Sequence, residues 1–171
     1  MYETCIFDLY GTLVDIRTDE EKEELWERLA LFYAYYGARY SPDELRCSYK
    51  RLTGEMTAGH EALRRDSHES FPEIQIEKVF RTLFEERGII ADEALVCHAG
   101  QFFRVLSTEF LRLYEGTEEM LAAVNKSGRK IYLLSNAQRV FTEYEMNALG
   151  ITKYFDGIYI CLLYTSPSPR D

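Results

Sequence analysis

The sequence predicts an α/β fold, namely a Rossmann-like parallel sheet core, incomplete in this chain, with an inserted helical cap. Three observations lead to this prediction. A short apolar run near the N-terminus is typical of a buried strand, a long central block has helical periodicity, and strands then alternate with helices, as in parallel sheets. The predicted domains are a core of residues 1–16 and 111–160, a helical cap of residues 17–110, and a separate tail of residues 161–171.

The composition is that of a globular protein, because 46% of the residues are hydrophobic and 29% are charged. The net charge of −9 argues against a nucleic-acid partner. We expect no membrane partner either, since no apolar run is long enough to span a bilayer and no secretory signal follows Met1. Four widely spaced cysteines without a C-x-x-C pair indicate reduced, mostly buried thiols in a cytoplasmic protein.

The first strand is predicted over Thr4 to Leu9, with Asp8 near its carboxyl end. Gly11-Thr12 then turns the chain. An aspartate in this position offers a carboxylate nucleophile beside free backbone amides of the turn. Such amides stabilise a developing oxyanion or a phosphoryl group.

Four amphipathic helices are predicted for the cap. The first has the acidic run Asp19–Glu21 at its start, and the second begins at Ser41, which is expected to form a capping box with Glu44. The third ends at Arg87-Gly88. The apolar faces of the four helices are predicted to be Leu25, Leu29, Phe32 and Tyr36; Leu45, Tyr49, Leu52 and Met56; Ile76, Val79, Phe80, Leu83 and Phe84; and Leu95, Ala99, Phe102 and Leu106.

The remainder of the core is predicted as helix, strand, helix and strand. Thr117 is expected to cap the first helix, and Lys130 to Leu134 form the strand that leads into Ser135-Asn136. A helix from about residue 140 to 149 and a strand from Asp156 to Ile160 follow. In open parallel sheets ligands bind at the carboxyl ends of the strands, so we expect Asp8 and Ser135 to share a site.

Two segments at these strand ends resemble the motifs of a known family. Residues 7–15, Phe-Asp-Leu-Tyr-Gly-Thr-Leu-Val-Asp, resemble the first motif of the haloacid dehalogenase (HAD) superfamily, and residues 133–137, Leu-Leu-Ser-Asn-Ala, resemble the second. Residues 113–117 resemble the segment in which the chain of that superfamily returns from its cap to its core. The resemblance implies a hydrolase that acts on a small molecule. It leaves the substrate and the oligomeric state open.

The resemblance also implies roles for individual residues. Asp8 attacks the substrate and forms a covalent aspartyl intermediate, and Ser135 is the second catalytic residue, which binds the transferred group. Gly11, Thr12 and Asn136 complete the substrate-binding loops. In metal-dependent members Mg²⁺ is held by the side chain of the first aspartate and by a backbone carbonyl two residues on, here Asp8 and Tyr10.

Tyr10 departs from the phosphatase pattern, since phosphatases of this superfamily carry a second aspartate there as general acid and base. Ionising a tyrosine at neutral pH costs roughly 4 kcal/mol, so Tyr10 would be a poor base. Haloacid dehalogenases often have tyrosine at this position, because halide leaves without a proton. The open alternatives are a phosphatase of a small phosphorylated metabolite, which we favour for the full-length protein, a metal-independent 2-haloacid dehalogenase, and a non-catalytic fragment.

Residues 161–171 match the translation of a transposase-type sequencing adapter residue for residue, so we expect this tail to be non-native. The resemblance places a lysine and a last acidic motif after the third strand. We expect both beyond Ile160 in the natural protein and therefore expect this truncated chain to be inactive. A missing neighbour strand would also leave Cys5-Ile6-Phe7 as an exposed apolar edge.

Overall fold

The computed structural model describes residues 3–63 and 75–160, and the side chains of all of these except 58–63. Its helices and strands, in chain order, are β1 (Thr4–Phe7), β2 (Val14–Thr18), α1 (Glu23–Tyr35), α2 (Pro42–Leu63), α3 (Ile76–Glu85), α4 (Glu93–Ser107), β3 (Thr108–Leu113), α5 (Thr117–Lys126), β4 (Lys130–Ser135), α6 (Arg139–Ala148), a 3₁₀ turn (Thr152–Tyr154) and β5 (Gly157–Ile160).

The chain divides into two compact units. The core unit consists of the residues up to Thr18 and from Thr108 onward, and the helical unit runs from Asp19 to Ser107. The core unit contains all five described strands, whereas the described elements of the helical unit are α1 to α4. The α/β class predicted from the sequence is therefore confirmed, with a helical block inserted between two parts of the sheet-bearing unit.

Three parallel strands in the order β1-β4-β5 form the main sheet. Phe7 lies opposite Leu133, and Ser135 lies opposite Ile160. One face of this sheet packs into a cluster of fully buried side chains. Apolar residues alternate along β4, so that its buried side chains point to this face, and their removal from water stabilises the strand. The cluster comprises Leu9, Leu13, Val14, Leu121, Ile131, Leu133, Met146 and Ile151.

The sequence did not predict the second, antiparallel sheet of β2 and β3, in which Val14 lies opposite Leu113. With this strand pair in the core unit, the helical unit runs from residue 19 to residue 107, whereas the sequence predicted it from 17 to 110. Both strands are short, and the helical unit separates them in the chain. Their pairing is therefore a long-range event that local propensity does not reveal.

The helical unit has an aromatic core, in which Trp26, Tyr49, Phe80 and Phe103 form neighbouring ring contacts. All five residues predicted for the apolar face of α3 are buried. On α4 the predicted Ala99 is buried, but the other three predicted residues are wrong by one position. The buried residues are Val96, Ala99, Gly100, Phe103 and Ser107. A one-residue error rotates a helix by about 100°, so the predicted Leu95, Phe102 and Leu106 lie at the margin of that face.

The predicted capping box of α2 is confirmed. The backbone N–H of Ser41 donates to Oε2 of Glu44 at 2.7 Å, and the N–H of Glu44 donates to Oγ of Ser41 at 3.2 Å. The cap predicted at Thr117 is wrong. Gly116, with φ +78°, precedes α5 instead, and the buried Thr117 hydroxyl donates to the carbonyl oxygen of Leu13 at 3.4 Å. The helix start is thus fixed by a glycine turn rather than by a hydroxyl.

The acidic run before α1 is also placed differently, because α1 begins at Glu23 and Asp19 accepts a hydrogen bond from the N–H of Glu21 at 2.8 Å. The expectation of mostly buried thiols is wrong for the described cysteines. Cys47 is exposed, whereas Cys5 and Cys97 are partly exposed. None of the described helices combines the length and the apolar character that a bilayer span requires. The predicted non-native tail, residues 161–171, and its Cys161 lie outside the described residues.

Candidate functional site

The site is organised by the parallel pairing of β1 with β4. Phe7, the last residue of β1, lies opposite Leu133. Asp8 follows one residue beyond this pair and Ser135 two residues beyond it, at the end of β4. Because parallel strands run in the same direction, both residues reach the same carboxyl edge of the sheet. Asp8 is exposed there. The structure thus places Asp8 and Ser135 at the same edge of the sheet.

A tight turn holds Asp8 in place. The carbonyl oxygen of Leu9 accepts hydrogen bonds from the N–H groups of Thr12, Leu13 and Val14, at 3.3, 2.8 and 3.0 Å. Gly11 has φ +74°, a left-handed conformation that glycine adopts without strain. Leu9, Leu13 and Val14 belong to the buried cluster of the core unit. The turn is therefore anchored by the core, and this anchoring presents the carboxylate of Asp8 on a fixed support.

The expectation that Gly11 and Thr12 offer free backbone amides is wrong. The N–H of Gly11 donates to the carbonyl oxygen of Val14 at 2.9 Å, and that of Thr12 donates to Leu9. A turn this tight satisfies its own donors, so these two amides are not available to a substrate. The Thr12 side chain is exposed, and its hydroxyl remains a candidate binding group.

Ser135 and Asn136 form the second half of the site. Ser135 is only 3% exposed, and its Oγ accepts a hydrogen bond from the N–H of Ala137 at 3.4 Å. A serine hydroxyl that accepts one bond still has its own proton to donate. Asn136 is exposed directly after the strand. Ser135 is therefore a fixed, poorly hydrated donor at the strand end, beside the more accessible amide of Asn136.

Tyr10 makes a contact that was not predicted from the sequence. Its hydroxyl donates to the carboxylate of Glu145 and lies 3.5 Å from Oγ1 of Thr142, both on α6. Glu145 and Thr142 are buried, among the apolar residues of the inward face of the helix. The sequence feature that could have indicated this contact is the pair Thr142 and Glu145, two polar residues three positions apart on an otherwise apolar helix face. Buried polar groups of this kind need hydrogen-bond partners: Glu145 accepts from Tyr10, and Thr142 donates to the carbonyl oxygen of Gln138.

The predicted Mg²⁺ ligands can be compared with the donors of this turn. Asp8 offers an exposed carboxylate, and Tyr10 offers a backbone carbonyl in the same turn. Oxygen donors suit Mg²⁺, which typically binds one or two carboxylates and keeps several waters or substrate oxygens. Among the described residues no three histidine, cysteine, aspartate or glutamate side chains cluster as a metal site. The donor set fits a magnesium ion that substrate and water would complete.

Comparisons with solved structures give matches of low similarity. An L-2-haloacid dehalogenase from Xanthobacter autotrophicus is 19% identical, with a TM-score of 0.40, over 94% of this chain and 57% of that chain. A predicted phosphoglycolate phosphatase from Haemophilus somnus 129pt is 17% identical, with a TM-score of 0.42, over 98% and 66%. A proposed beta-phosphoglucomutase from Thermotoga maritima is 19% identical, with a TM-score of 0.45, over 98% and 65%.

This chain therefore spans 57–66% of the length of these three structures. No curated protein matches the chain significantly. The family model of the haloacid dehalogenase-like hydrolases matches residues 2–169, nearly the whole chain and most of the predicted tail. This match establishes that the chain belongs to the haloacid dehalogenase-like hydrolases.

Proposed function

We propose that the full-length protein is a Mg²⁺-dependent phosphatase of a small phosphorylated metabolite, which acts through an aspartyl-phosphate at Asp8. The observation that carries this proposal is the position of the Asp8 carboxylate and the Ser135 hydroxyl at the ends of two paired parallel strands. A carboxylate nucleophile beside a fixed hydrogen-bond donor is the arrangement that acyl or phosphoryl transfer to an aspartate requires.

In the proposed reaction an oxygen of Asp8 attacks phosphorus and the bond to the leaving oxygen breaks. In this reaction the Ser135 hydroxyl donates to a phosphoryl oxygen, and the exposed Thr12 hydroxyl is a second candidate donor. Water then hydrolyses the aspartyl-phosphate to phosphate and free Asp8. When bound through Asp8 and the Tyr10 carbonyl, Mg²⁺ would offset the charge of the phosphoryl group.

The turn after Asp8, residues 9–13, contains no carboxyl group, and the Tyr10 hydroxyl donates to Glu145. This turn therefore has no evident acid for the leaving oxygen. An aryl phosphate is consequently the appropriate first substrate, because a nitrophenolate leaves without being protonated. The same reasoning supports a second candidate, a metal-independent 2-haloacid dehalogenase. There Asp8 would displace halide from carbon, and water would hydrolyse the resulting ester.

The two functions are separated by one set of assays on the 171-residue chain and on a chain continued past Ile160 in the genomic reading frame. Phosphate release from p-nitrophenyl phosphate that requires Mg²⁺ and stops with chelator supports the phosphatase. Chloride release from 2-chloropropionate that persists in chelator supports the dehalogenase instead. If neither chain released phosphate or chloride, both enzyme proposals would be contradicted and the non-catalytic alternative would remain.

Asp8→Asn is expected to abolish either activity, because an amide is not a competent nucleophile. Asp15→Asn provides the matched control, since Asp15 lies on β2 and pairs with Arg112 at 2.7 Å, across the antiparallel sheet. We expect this variant to retain most of its activity. Full activity in Asp8→Asn would refute the assignment of the nucleophile.

A further inference from the structure

A partly buried polar contact links the turn after Asp8 with α6, the helix that follows the Ser135 segment. On one side is Tyr10, two residues after Asp8, and on the other is α6, which begins four residues after Ser135. The phenol hydroxyl donates to the carboxylate of Glu145 and lies 3.5 Å from Oγ1 of Thr142. Glu145 is 8% exposed and Thr142 is fully buried, so the α6 side of this contact is shielded from water, whereas Tyr10 is partly exposed.

Thr142, which lies beside the Tyr10 hydroxyl, bonds the start of α6 instead. Oγ1 of Thr142 donates to the carbonyl oxygen of Gln138 at 2.9 Å. The same carbonyl accepts from the N–H groups of Phe141 and Thr142, both at 3.1 Å. Gln138 is the third residue after Ser135, in the segment that connects β4 with α6. Thr142 therefore gives its one hydroxyl proton to this segment, and the hydrogen bond from the Tyr10 hydroxyl to α6 is the one to Glu145.

We infer that Glu145 is a positioning residue, which holds the turn of Asp8 in a fixed relation to α6, the helix that follows Ser135 and Asn136, through the hydroxyl of Tyr10. The catalytic part of this inference rests on the proposed function, whereas the mechanical part rests on the contacts alone. In this role Tyr10 acts through its ring and hydroxyl as a tether. Its hydroxyl donates to α6.

The variants are chosen to separate hydrogen bonding from bulk. Tyr10→Phe keeps the ring and removes the donor, and Glu145→Leu removes the acceptor at similar size. Glu145→Gln keeps an oxygen that can accept from Tyr10 and serves as the rescue variant. Glu143→Gln is the control, because Glu143 lies on the same helix but pairs with Arg139 on the surface.

Hydrogen exchange on the 171-residue chain tests the mechanical part without any activity. In Tyr10→Phe and Glu145→Leu we expect the amides of residues 11–14, which donate within the turn, to exchange about ten-fold faster. Glu145→Gln and Glu143→Gln should stay near the wild type, and α3 should be unchanged in all variants. An equal increase throughout both units, or no increase in the turn, would overturn the inference.

Kinetics in an active preparation test the positioning role. Tyr10→Phe and Glu145→Leu should lower kcat by about 10- to 100-fold with KM nearly constant, because a small displacement of the nucleophile affects the transition state most, and Glu145→Gln should restore kcat. An unchanged kcat despite a loosened turn would refute positioning. If the variants gave the expected exchange pattern but the wild type hydrolysed neither substrate, the proposed function would be contradicted and the tether would still be established.

Discussion

Gly11 shows how one residue determines the geometry of the site. Its φ of +74° lies in the left-handed region, and a Cβ added to it would meet no atom within 4 Å. The need for glycine is therefore conformational and not a matter of space. A side chain at this position would either strain the backbone or change the turn that supports Asp8.

Gly11→Ala is accordingly expected to lower the free energy of unfolding by about 1–2 kcal/mol. Gly54→Ala is the matched control, because Gly54 lies inside α2 and its added Cβ also meets no atom within 4 Å. There alanine should stabilise by up to about 1 kcal/mol, through helix propensity. Urea denaturation of both variants measures the difference, and equal effects in the two would show that backbone conformation is not the cause.

Single residues were predictable where local sequence specifies their place. Asp8 follows an apolar strand and Ser135 ends one, and in a parallel sheet the ends of neighbouring strands lie at the same edge. Glu145 was not predictable as the partner of Tyr10, since 135 residues separate them in the chain. The free amides assigned to Gly11 and Thr12 were wrong, because composition indicates a turn but not which acceptors its amides find.

Among the elements, β5 is joined to β4 by more than the strand ladder. Asp156, just before β5, accepts from Nζ of Lys130 at 2.6 Å and from the N–H of Ile131 at 2.9 Å. The hydrogen bond from Lys130, with that from Ile131, lowers the pKa of the Asp156 carboxyl below its usual value of 3.8. The charged form of this side chain is therefore the one that holds the strands together.

A lowered pKa in the folded state contributes stability above the unfolded pKa, and this contribution is lost as the pH falls through the folded value. For Asp156 the loss is expected below about pH 4. Asp156→Asn should be less stable than the wild type at pH 6, and the difference should shrink as the pH falls from 4 toward 2. Urea denaturation across this range is the measurement. A difference that stays constant with pH would contradict the role of the charge.

Elements with strong periodicity were predicted best. The face of α3 was predicted completely, because Ile76, Val79, Phe80, Leu83 and Phe84 recur at helical spacing among polar residues. On α4 the apolar residues are spread around the helix, and the predicted face was off by one residue. β2 and β3 escaped prediction because each is short and its partner lies beyond the helical unit.

At the scale of the whole molecule, the two faces of the parallel sheet differ. One face packs on the core, whereas on the other Ile6, Leu134 and Tyr159 are 64%, 49% and 56% exposed. A shallow cleft of about 280 Å³ lies on this open face, lined in part by Tyr132. Parallel sheets are ordinarily covered on both faces, so the open apolar face is a hazard for aggregation.

Replacing Ile6 and Leu134 together by threonine should therefore reduce aggregation. The melting temperature should change little, because about half or more of each side chain is already exposed to water. Ile131→Thr provides the contrast. Ile131 is fully buried on the opposite face of β4, and its replacement should cost about 2 kcal/mol or more. Light scattering and thermal unfolding are the two measurements. Unchanged aggregation of the double variant would show that this face is not responsible.

The organisation of the whole chain was predictable from the change in periodicity. Helical spacing through the middle and alternating strands and helices at the end indicate a helical insertion in a parallel-sheet unit, and the chain indeed divides in this way. The extra β2–β3 sheet at the junction was not predictable from spacing alone. It pairs Val14 with Leu113, and the whole helical unit separates these residues in the chain.

The central claim is that Asp8 is the nucleophile, and covalent labelling tests it most directly. Trypsin should release residues 1–17 as one peptide, because Arg17 is the first lysine or arginine in the chain, and this peptide contains both Asp8 and Asp15. In an active preparation stopped with acid during turnover, we expect a phosphoryl group, or an ester in the dehalogenase case, on Asp8. Turnover with the label on Asp15, or with no label on this peptide, would contradict the account.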